Sequence, residues 1–394
     1  MNADIRANPS LDSPYFDLAG HLGSRAYCIH NMMYPDSGEE TSGLLDIGVK
    51  DLLPSPFFAP PLSPPKGTTF ELRPAEGTSG VGMFAARNIP AGGLILVERP
   101  ILIAPYIIAL ESAPESEIFA ALLRRLPPDT VAHFMTLANC KPPEECTAIE
   151  GIMRTNAIAV SLPVPDDVPY PELPTHRALF LNTSRCNHSC SPNAKWHWDA
   201  PSFSLSLKAL RPIPAGHEIT VAYIDPTSPR AERRAQLKDT YAFSCRCAAC
   251  ARPSAAVAQS DAARAELAAF WAAVLPFEAW CRDARLPDYG LVDAHARAYQ
   301  LIEAEGLQTL GIGKHLDAIA MGYGALRDVA QFRVWAARAR DARLEEDDAV
   351  GARVLEEWIR EPETFPVWGW RESLLKASSP KASSPKSVKC MWRD

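Results

Sequence analysis

Three clusters between Asn187 and Ala251 constrain this chain more than the rest of its length: NHSCSPN at 187–193, GHEITVAYID at 216–225 and CRCAAC at 245–250. The last sets three thiols in a Cys-x-Cys-x-x-Cys spacing, and the first adds Cys190 from far away in sequence. Four thiolates with no open position make the closed tetrahedron of a structural zinc site. The spacing therefore reads as one zinc ion closing a tail over a core. The 10 cysteines are otherwise spread over a large chain, which does not suit the disulfide framework of a small secreted domain and fits a reducing compartment.

A chain of 394 residues with 47% hydrophobic and 22% charged side chains is globular in composition and long enough for two or three units. Its formal charge of −7 excludes a general phosphate-backbone binder and is compatible with a basic protein substrate, although solubility alone accounts for it. The cysteine cluster also lacks a basic helix, so no direct nucleic-acid contact is expected. No run approaches the roughly 18–20 apolar residues that span a bilayer, and no secretory signal pattern opens the chain. A soluble, intracellular protein of the nucleus or cytoplasm is expected, with no membrane contact.

Residues 1–66 mix Pro, Ser, Gly and Asp with short apolar patches, and PSPFFAPPLSPP at 54–65 cannot sustain a helix or central strand. This stretch reads as a mostly disordered leader, with a polyproline docking segment as the alternative. TFELRP and LILVERP, around a glycine-rich turn, read as strands, as do 203–210 and 218–224. Between them the period changes: Ile118, Phe119, Leu122, Leu123 and Leu126 share a helical face, and 130–138 and 147–158 also read as helical. After the cysteines the chain is Ala-rich and helical to about 360, with stripes Leu267, Phe270, Trp271, Val274 and Val354, Leu355, Trp358, Ile359. The repeated Lys-Ala-Ser-Ser-Pro at 376–385 is too poor in apolar residues to order itself.

The order of these clusters over residues 68–252 resembles the SET-domain protein lysine methyltransferases, most closely the SET-and-MYND branch. The resemblance implies an α+β fold: a SET domain at 67–226 with a helical insert at about 101–180, and a zinc-closed post-SET segment at 237–252. A helical C-terminal domain at 255–372 and a low-complexity tail at 373–394 complete the expected organisation. The activity implied is S-adenosylmethionine-dependent N-methylation of a lysine on a histone or non-histone protein, and hence a chromatin role. The helical domain is the place for a further protein partner.

Taken residue by residue, the resemblance makes Gly82, Met83 and Phe84 the first cofactor-contacting segment, through main-chain groups. Read alone, Gly80 and Gly82 are better explained by a bare tight turn between strands. Asn187 matches the asparagine near the methionine amine of the cofactor, and His188 the histidine whose backbone meets the adenine. Without the family, His188 is a structural histidine fixing a crowded loop. Asn156, in RTNAI, matches a further cofactor asparagine of this branch. Tyr223 matches the catalytic tyrosine aimed at the sulfonium methyl and the incoming amine, where the bare pattern gives only a core tyrosine. Tyr241 and Phe243 match the aromatics lining the lysine channel, with Phe243 also covering the adenine. The resemblance agrees with the spacing on Cys190, Cys245, Cys247 and Cys250 as the ligands of a structural Zn2+.

Some positions depart from the family pattern. Residues 101–155 hold only His133, Cys140 and Cys146, too few for a MYND zinc module, so that module and the partner binding it confers are not carried over. His217 stands where an acidic residue is usual, and Cys186 where a bulky aliphatic precedes the asparagine. These leave a second reading open, a catalytically inactive SET-fold scaffold for protein interaction.

Overall fold

The computed structural model describes residues 16–17, 26–55, 57–75, 80–108, 114–165, 174–345 and 348–377. Its contacts divide the chain into two compact units. The first comprises 1–189, 193–223 and 234–245, and the second 190–192, 224–233 and 246–394.

Among the described residues, the first unit holds thirteen strands in three sheets. Six make one sheet, in the order β1 (Phe16–Asp17), β2 (Ala26–Met33), β3 (Glu40–Asp46), β7 (Leu102–Pro105), β9 (Thr175–Leu179), β8 (Ile158–Ser161). Four make the second: β10 (Asn187–His188), β13 (Glu218–Val221), β5 (Val81–Ala85), β4 (Phe70–Pro74). The third joins β11 (Ala194–Asp199), β12 (Ser204–Ala209) and β6 (Leu94–Glu98). Met83, Ile95, Phe203, Leu205, Leu207 and Ile219 are buried together, which is why the 203–210 and 218–224 runs fold as strands.

The insert is helical over a shorter span than expected. Three helices, α2 (Glu115–Leu123), α3 (Pro128–Phe134) and α4 (Ala148–Asn156), fill its middle, while β7, β8 and β9 occupy its flanks. All five residues of the sequence-read stripe from Ile118 to Leu126 are buried, against Leu102, Phe134, Ile152 and Leu179. Pro128 opens α3 at a position where its missing N–H is harmless, and the Thr147 hydroxyl accepts the Glu150 N–H at the start of α4.

The expectation of a disordered leader is corrected. Residues 26–46 form the β2–β3 hairpin, helix α1 (Ile47–Leu52) follows, and β3 pairs in parallel with β7. The polar start of β3 hid the strand: Thr41 and Ser42 are buried, and the Thr41 hydroxyl bonds to that of Tyr34 at 2.9 Å and donates to the Pro100 carbonyl. These partners satisfy the Thr41 hydroxyl, whose burial would otherwise be costly, while the buried Ser42 hydroxyl has no partner among the described residues. The described residues of the proline-rich stretch are irregular, as its prolines require, and Phe58 packs its ring against Tyr34 and Phe203, at 5.4 and 5.1 Å.

Among its described residues, the second unit is all α. Its helices are α6 (Ser254–Ala273), α7 (Phe277–Arg282), α8 (Gly290–Glu305), α9 (Ile312–Ala325), α10 (Val329–Glu345), α11 (Ala349–Arg360) and α12 (Trp370–Ala377). Helix α5 (Arg230–Tyr241) begins in this unit and continues into the first. Leu267 packs with Ala298, Leu301 and Ile302, and Leu355 and Trp358 with Phe332 and Ala336. Trp271, expected in the α6 stripe, is instead 52% exposed. The first residues of the expected low-complexity tail, 373–377, close α12, and 378–394 lie outside the described residues. The architecture is α+β, a β-rich core with a helical insert followed by a helical region.

One carboxylate positions the approach to NHSC. Glu98, at the end of β6, accepts the backbone N–H groups of Asn182 and Thr183 at 2.7 and 2.9 Å, and their side chains at 3.2 and 2.9 Å. It thus caps the 3-10 turn Thr183–Arg185 that leads into Cys186 and Asn187. Burial pushes the Glu98 carboxyl up, and these four bonds pull it back only in part. Glu98→Gln places an amide NH2 against at least one backbone donor. A loss of about 1–3 kcal/mol in urea unfolding is expected, where an unchanged midpoint would show that the cap is dispensable.

In the second unit, His295 and His315 are buried with their Nδ1 atoms 3.2 Å apart and the rings of Phe270 and Trp271 beside them. One Nδ1 must donate and the other accept, so the two rings cannot both be charged. Burial, and for His295 also the neighbouring His315, pulls both to about 4. Since both lie below the ordinary value of about 6.5, their contribution is whole above pH 6.5 and is lost as pH falls towards 4. The urea midpoint of this unit should drop between pH 7 and pH 5; a flat midpoint would contradict neutral burial of the pair.

Candidate functional site

The parallel pairing of Asn187 and His188 with Thr220 and Val221 brings the first two sequence clusters side by side. Two reciprocal hydrogen bonds then lock them. The Tyr223 N–H donates to His188 Nδ1 at 3.0 Å, and the Tyr223 hydroxyl donates to the Cys186 carbonyl at 2.6 Å. The first bond makes His188 Nδ1 an acceptor, which places the ring proton on Nε2 in the neutral tautomer. Burial pushes the Tyr223 phenol up, with the charges of Cys186, Tyr241 and Glu218 adding to it. The hydroxyl is thus a neutral donor rather than a phenolate.

Aromatic rings continue this centre. His188 lies 5.4 Å from Tyr223 and 6.3 Å from Phe243, and Tyr223 lies 4.9 Å from Tyr241 at 45°. Four of the expected site residues, Phe243, His188, Tyr223 and Tyr241, therefore form one connected row of rings. Ala242, between the two outer aromatics, holds a left-handed φ of 57° where α5 ends. Thr240, two residues before it, accepts Lys141 Nζ at 2.7 Å and the Cys140 thiol at 3.6 Å on its carbonyl.

On the other side of Asn187, its Nδ2 donates to Glu218 Oε1 at 2.7 Å. This pair lies over Gly82: a Cβ there would meet Glu218 Oε1 at 2.6 Å and Asn187 Nδ2 at 3.0 Å. Gly82 is required for this close approach rather than for a bare turn, whereas a Cβ on Gly80 would meet nothing within 4 Å. Met83 and Phe84 lie in the middle of their sheet, paired with β4 on one side and β13 on the other, while Gly82 is paired with β4 alone. Asn193 clamps β13, donating to the Glu218 carbonyl at 2.8 Å and accepting the Thr220 N–H at 2.8 Å.

Asn156 is placed by its own amide, whose Nδ2 donates to the carbonyls of Ala138 and Ile152, both at 2.7 Å. Its carbonyl accepts the Ser184 hydroxyl at 3.3 Å, which links α4 to the approach to Asn187. Glu218, Asn193, Glu98 and Arg185 were missed by sequence reasoning, although GHEI and NHSCSPN contain the first two. Arg185 donates to the Thr136 carbonyl at 2.9 Å, so it too ties the insert to this segment.

The sulfurs of Cys190, Cys245, Cys247 and Cys250 all lie within 4.8 Å of one another, and those of Cys190 and Cys250 are 3.6 Å apart. Zn–S bonds of about 2.3 Å in a tetrahedron put sulfurs about 3.8 Å apart, so the donor set fits zinc. The Cys190 N–H also points at the Cys247 sulfur, at 3.4 Å. Among the described residues this is the group of ligating side chains placed for a metal. Cys140 is engaged instead with Thr155 and Thr240. Also among the described residues, no helix is long and apolar enough to cross a membrane.

Residues 80–224 match the SET domain family model. The histone-lysine N-methyltransferase set5 of Schizosaccharomyces pombe is 30% identical over 190 residues, 48% of this chain and 53% of that one. The mouse (Mus musculus) histone-lysine N-methyltransferase SMYD3 is 43% identical over 72 residues, 18% of this chain and 16% of that one. Among solved structures, the SET domain of LSMT bound to lysine and AdoHcy is similar at 14% identity and a TM-score of 0.32, covering 78% of this chain and 88% of that one. The chain spans about half the length of the first of these relatives and less of the second. Over residues 80–224 the chain matches the SET domain family, and it is similar there to the lysine methyltransferases of the SET-and-MYND kind.

Proposed function

We propose that this chain transfers a methyl group from S-adenosylmethionine to the ε-amine of a lysine on a protein, histone or non-histone. The observation that carries the reading is the connected row Phe243, His188, Tyr223 and Tyr241, set beside the Asn187–Glu218 pair and a glycine that leaves room for it. When bound, S-adenosylmethionine supplies an electrophilic methyl on a sulfonium. Gly82, Met83, Phe84, Asn156, Asn187, His188 and Phe243 are the residues to hold it. Since Asn187 and Asn156 spend their amide nitrogens within the protein, each offers Oδ1, the acceptor a cofactor amine requires.

A lysine ammonium, with a pKa of about 10.4, must lose its proton before it can attack. Tyr223 cannot be the base, because its phenol is neutral and already donates to Cys186. Tyr223 and Tyr241 instead wall the amine off from water, which disfavours its charged form and lets the proton leave to solvent. The amine lone pair then forms the N–C bond as the methyl–sulfur bond breaks, giving methyl-lysine and S-adenosylhomocysteine. What the protein contributes is orientation and preorganised polarity. Zinc on Cys190, Cys245, Cys247 and Cys250 would be structural, ordering the segment that follows Phe243 and taking no part in the transfer.

Calorimetric titration of the zinc-loaded protein with S-adenosylmethionine tests the reading. Saturable binding is expected, weakened at least about 10-fold in Asn187→Ala. In Tyr223→Phe, binding should persist while lysine methylation falls roughly 10²-fold. An intact, folded wild type that binds no S-adenosylmethionine would leave the SET fold as an interaction scaffold. Gly82→Ala drives a methyl group into the Glu218 carboxylate and should weaken cofactor binding on the order of 10-fold. Wild-type affinity in that variant would show that the Asn187–Glu218 pair is not part of the cofactor site.

A further inference from the structure

The proline-rich run before β4 takes no part in methyl transfer. From Ala59 to Lys66 it reads APPLSPPK, with four prolines. A proline fixes its own φ at about −65°, and the residue before a proline is pushed to extended backbone. Of residues 59–65, Leu62 alone escapes both restrictions, so the run is confined to polyproline II geometry before any partner arrives. These residues accordingly belong to no helix or strand.

Both ends of the run are fastened to the core. The Ala59 N–H donates to the Pro201 carbonyl at 2.9 Å, next to Phe58 with its ring against Tyr34 and Phe203. At the other end Gly67 turns the chain at a φ of 70°. The buried Thr69 then donates its hydroxyl to the Ile95 carbonyl at 2.6 Å and accepts the Ala86 N–H on its own carbonyl at 2.9 Å. Between these anchors Pro60, Leu62, Ser63, Pro64 and Lys66 are exposed, while Pro61 and Pro65 are half-buried. Apolar side chains are thus held out to solvent on a backbone that is tied at each end.

Three residues per turn put Pro60, Ser63 and Lys66 on one ridge, Pro61 and Pro64 on the next, and Leu62 and Pro65 on the third. Every member of the first ridge is exposed, and so is Pro64 of the second. We propose that this run is a docking ligand for an SH3-type domain, a groove with two aromatic-walled slots and a rim of carboxylates. Pro60-Pro61 and Ser63-Pro64, one turn apart, fill the slots, and the Lys66 ammonium, beyond the second, meets the acidic rim. The third ridge faces away from the groove. Because the backbone is preset, docking does not bear the ordering cost of an unstructured ligand. The inference is independent of the methyltransferase reading, since the run belongs to neither the row of rings nor the thiols.

The test is calorimetric titration of the full-length protein with a panel of purified SH3 domains whose grooves carry acidic rims, beside a synthetic peptide of residues 57–67. Saturable binding of at least one domain to the folded protein is expected. Against that domain, Pro64→Ala and Lys66→Glu should each weaken binding at least about 10-fold, and Leu62→Ala should stay within about threefold of the wild type. All three side chains are exposed, so each variant should keep the wild-type urea midpoint. Should Pro64→Ala fail to fold, Lys66→Glu against Leu62→Ala carries the same contrast. No binding by the folded protein overturns the proposal, whether or not the peptide binds, because a run that docks only when cut free is masked in the fold. A loss in Leu62→Ala as large as in Pro64→Ala or Lys66→Glu also overturns it, since that marks adhesion to exposed apolar groups rather than a fit to two ridges.

Discussion

The site depends on the two hydrogen bonds exchanged between residues 186–188 and Tyr223. They join segments 35 residues apart, and each leaves a polar group satisfied in a setting where an unsatisfied one would be costly. The Tyr223 N–H fixes the His188 ring, and the Cys186 carbonyl fixes the Tyr223 phenol, so neither ring is free to rotate independently. Asn193 fastens β13 near the same point, and the Asn187–Glu218 pair fastens it again beside Gly82. Removing one bond therefore loosens a connected set of rings and amides rather than a single contact.

The two departures from the family pattern look different once this lock is considered. His217 is exposed, and the sheet uses only its carbonyl, which accepts the Ala85 N–H at 2.9 Å. Cys186 is buried beside the Met83 sulfur at 3.6 Å, and burial pushes its thiol well up, so it packs as a small apolar side chain. What the site takes from Cys186 is again a carbonyl. Both changes fall on side chains where the architecture relies on main chain, which removes the reason to read them as decay of the site.

Much of this was legible in the sequence because rare residue types stood at fixed spacings. The thiols, the NHSC segment and the ITVAY strand identify themselves locally, and the α2 stripe carries its own period. The features that escaped depend on distant partners. Thr41 looks unfit for a buried strand until Tyr34 and the Pro100 carbonyl are known, and Glu98 looks like an ordinary acid at a strand end until Asn182 and Thr183 arrive 84 residues later. Trp271 failed the opposite way: its spacing suits a core stripe, yet the packed face of α6 passes through Leu267 and leaves it exposed. Local pattern reports which side chains can be buried, while long-range hydrogen bonds decide which polar ones are.

The helical insert also acquires a role that its position in the chain conceals. Its loop at 136–141 is gripped from one side by Arg185, on the Thr136 carbonyl and hydroxyl, and by Asn156, on the Ala138 carbonyl. From the other side, Cys140 and Lys141 grip Thr240, next to Tyr241 and the strained Ala242. A residue such as alanine in the left-handed region costs about 1–2 kcal/mol and persists only where its surroundings over-determine it. The loop supplies that determination, because it binds the carbonyl two residues before Ala242. The Tyr241 ring is thus referenced through the insert to the same segment that carries Asn187 and His188. Within this core, changes in the insert would move the Tyr241 ring relative to Tyr223 beside it, without altering any residue of the NHSC cluster.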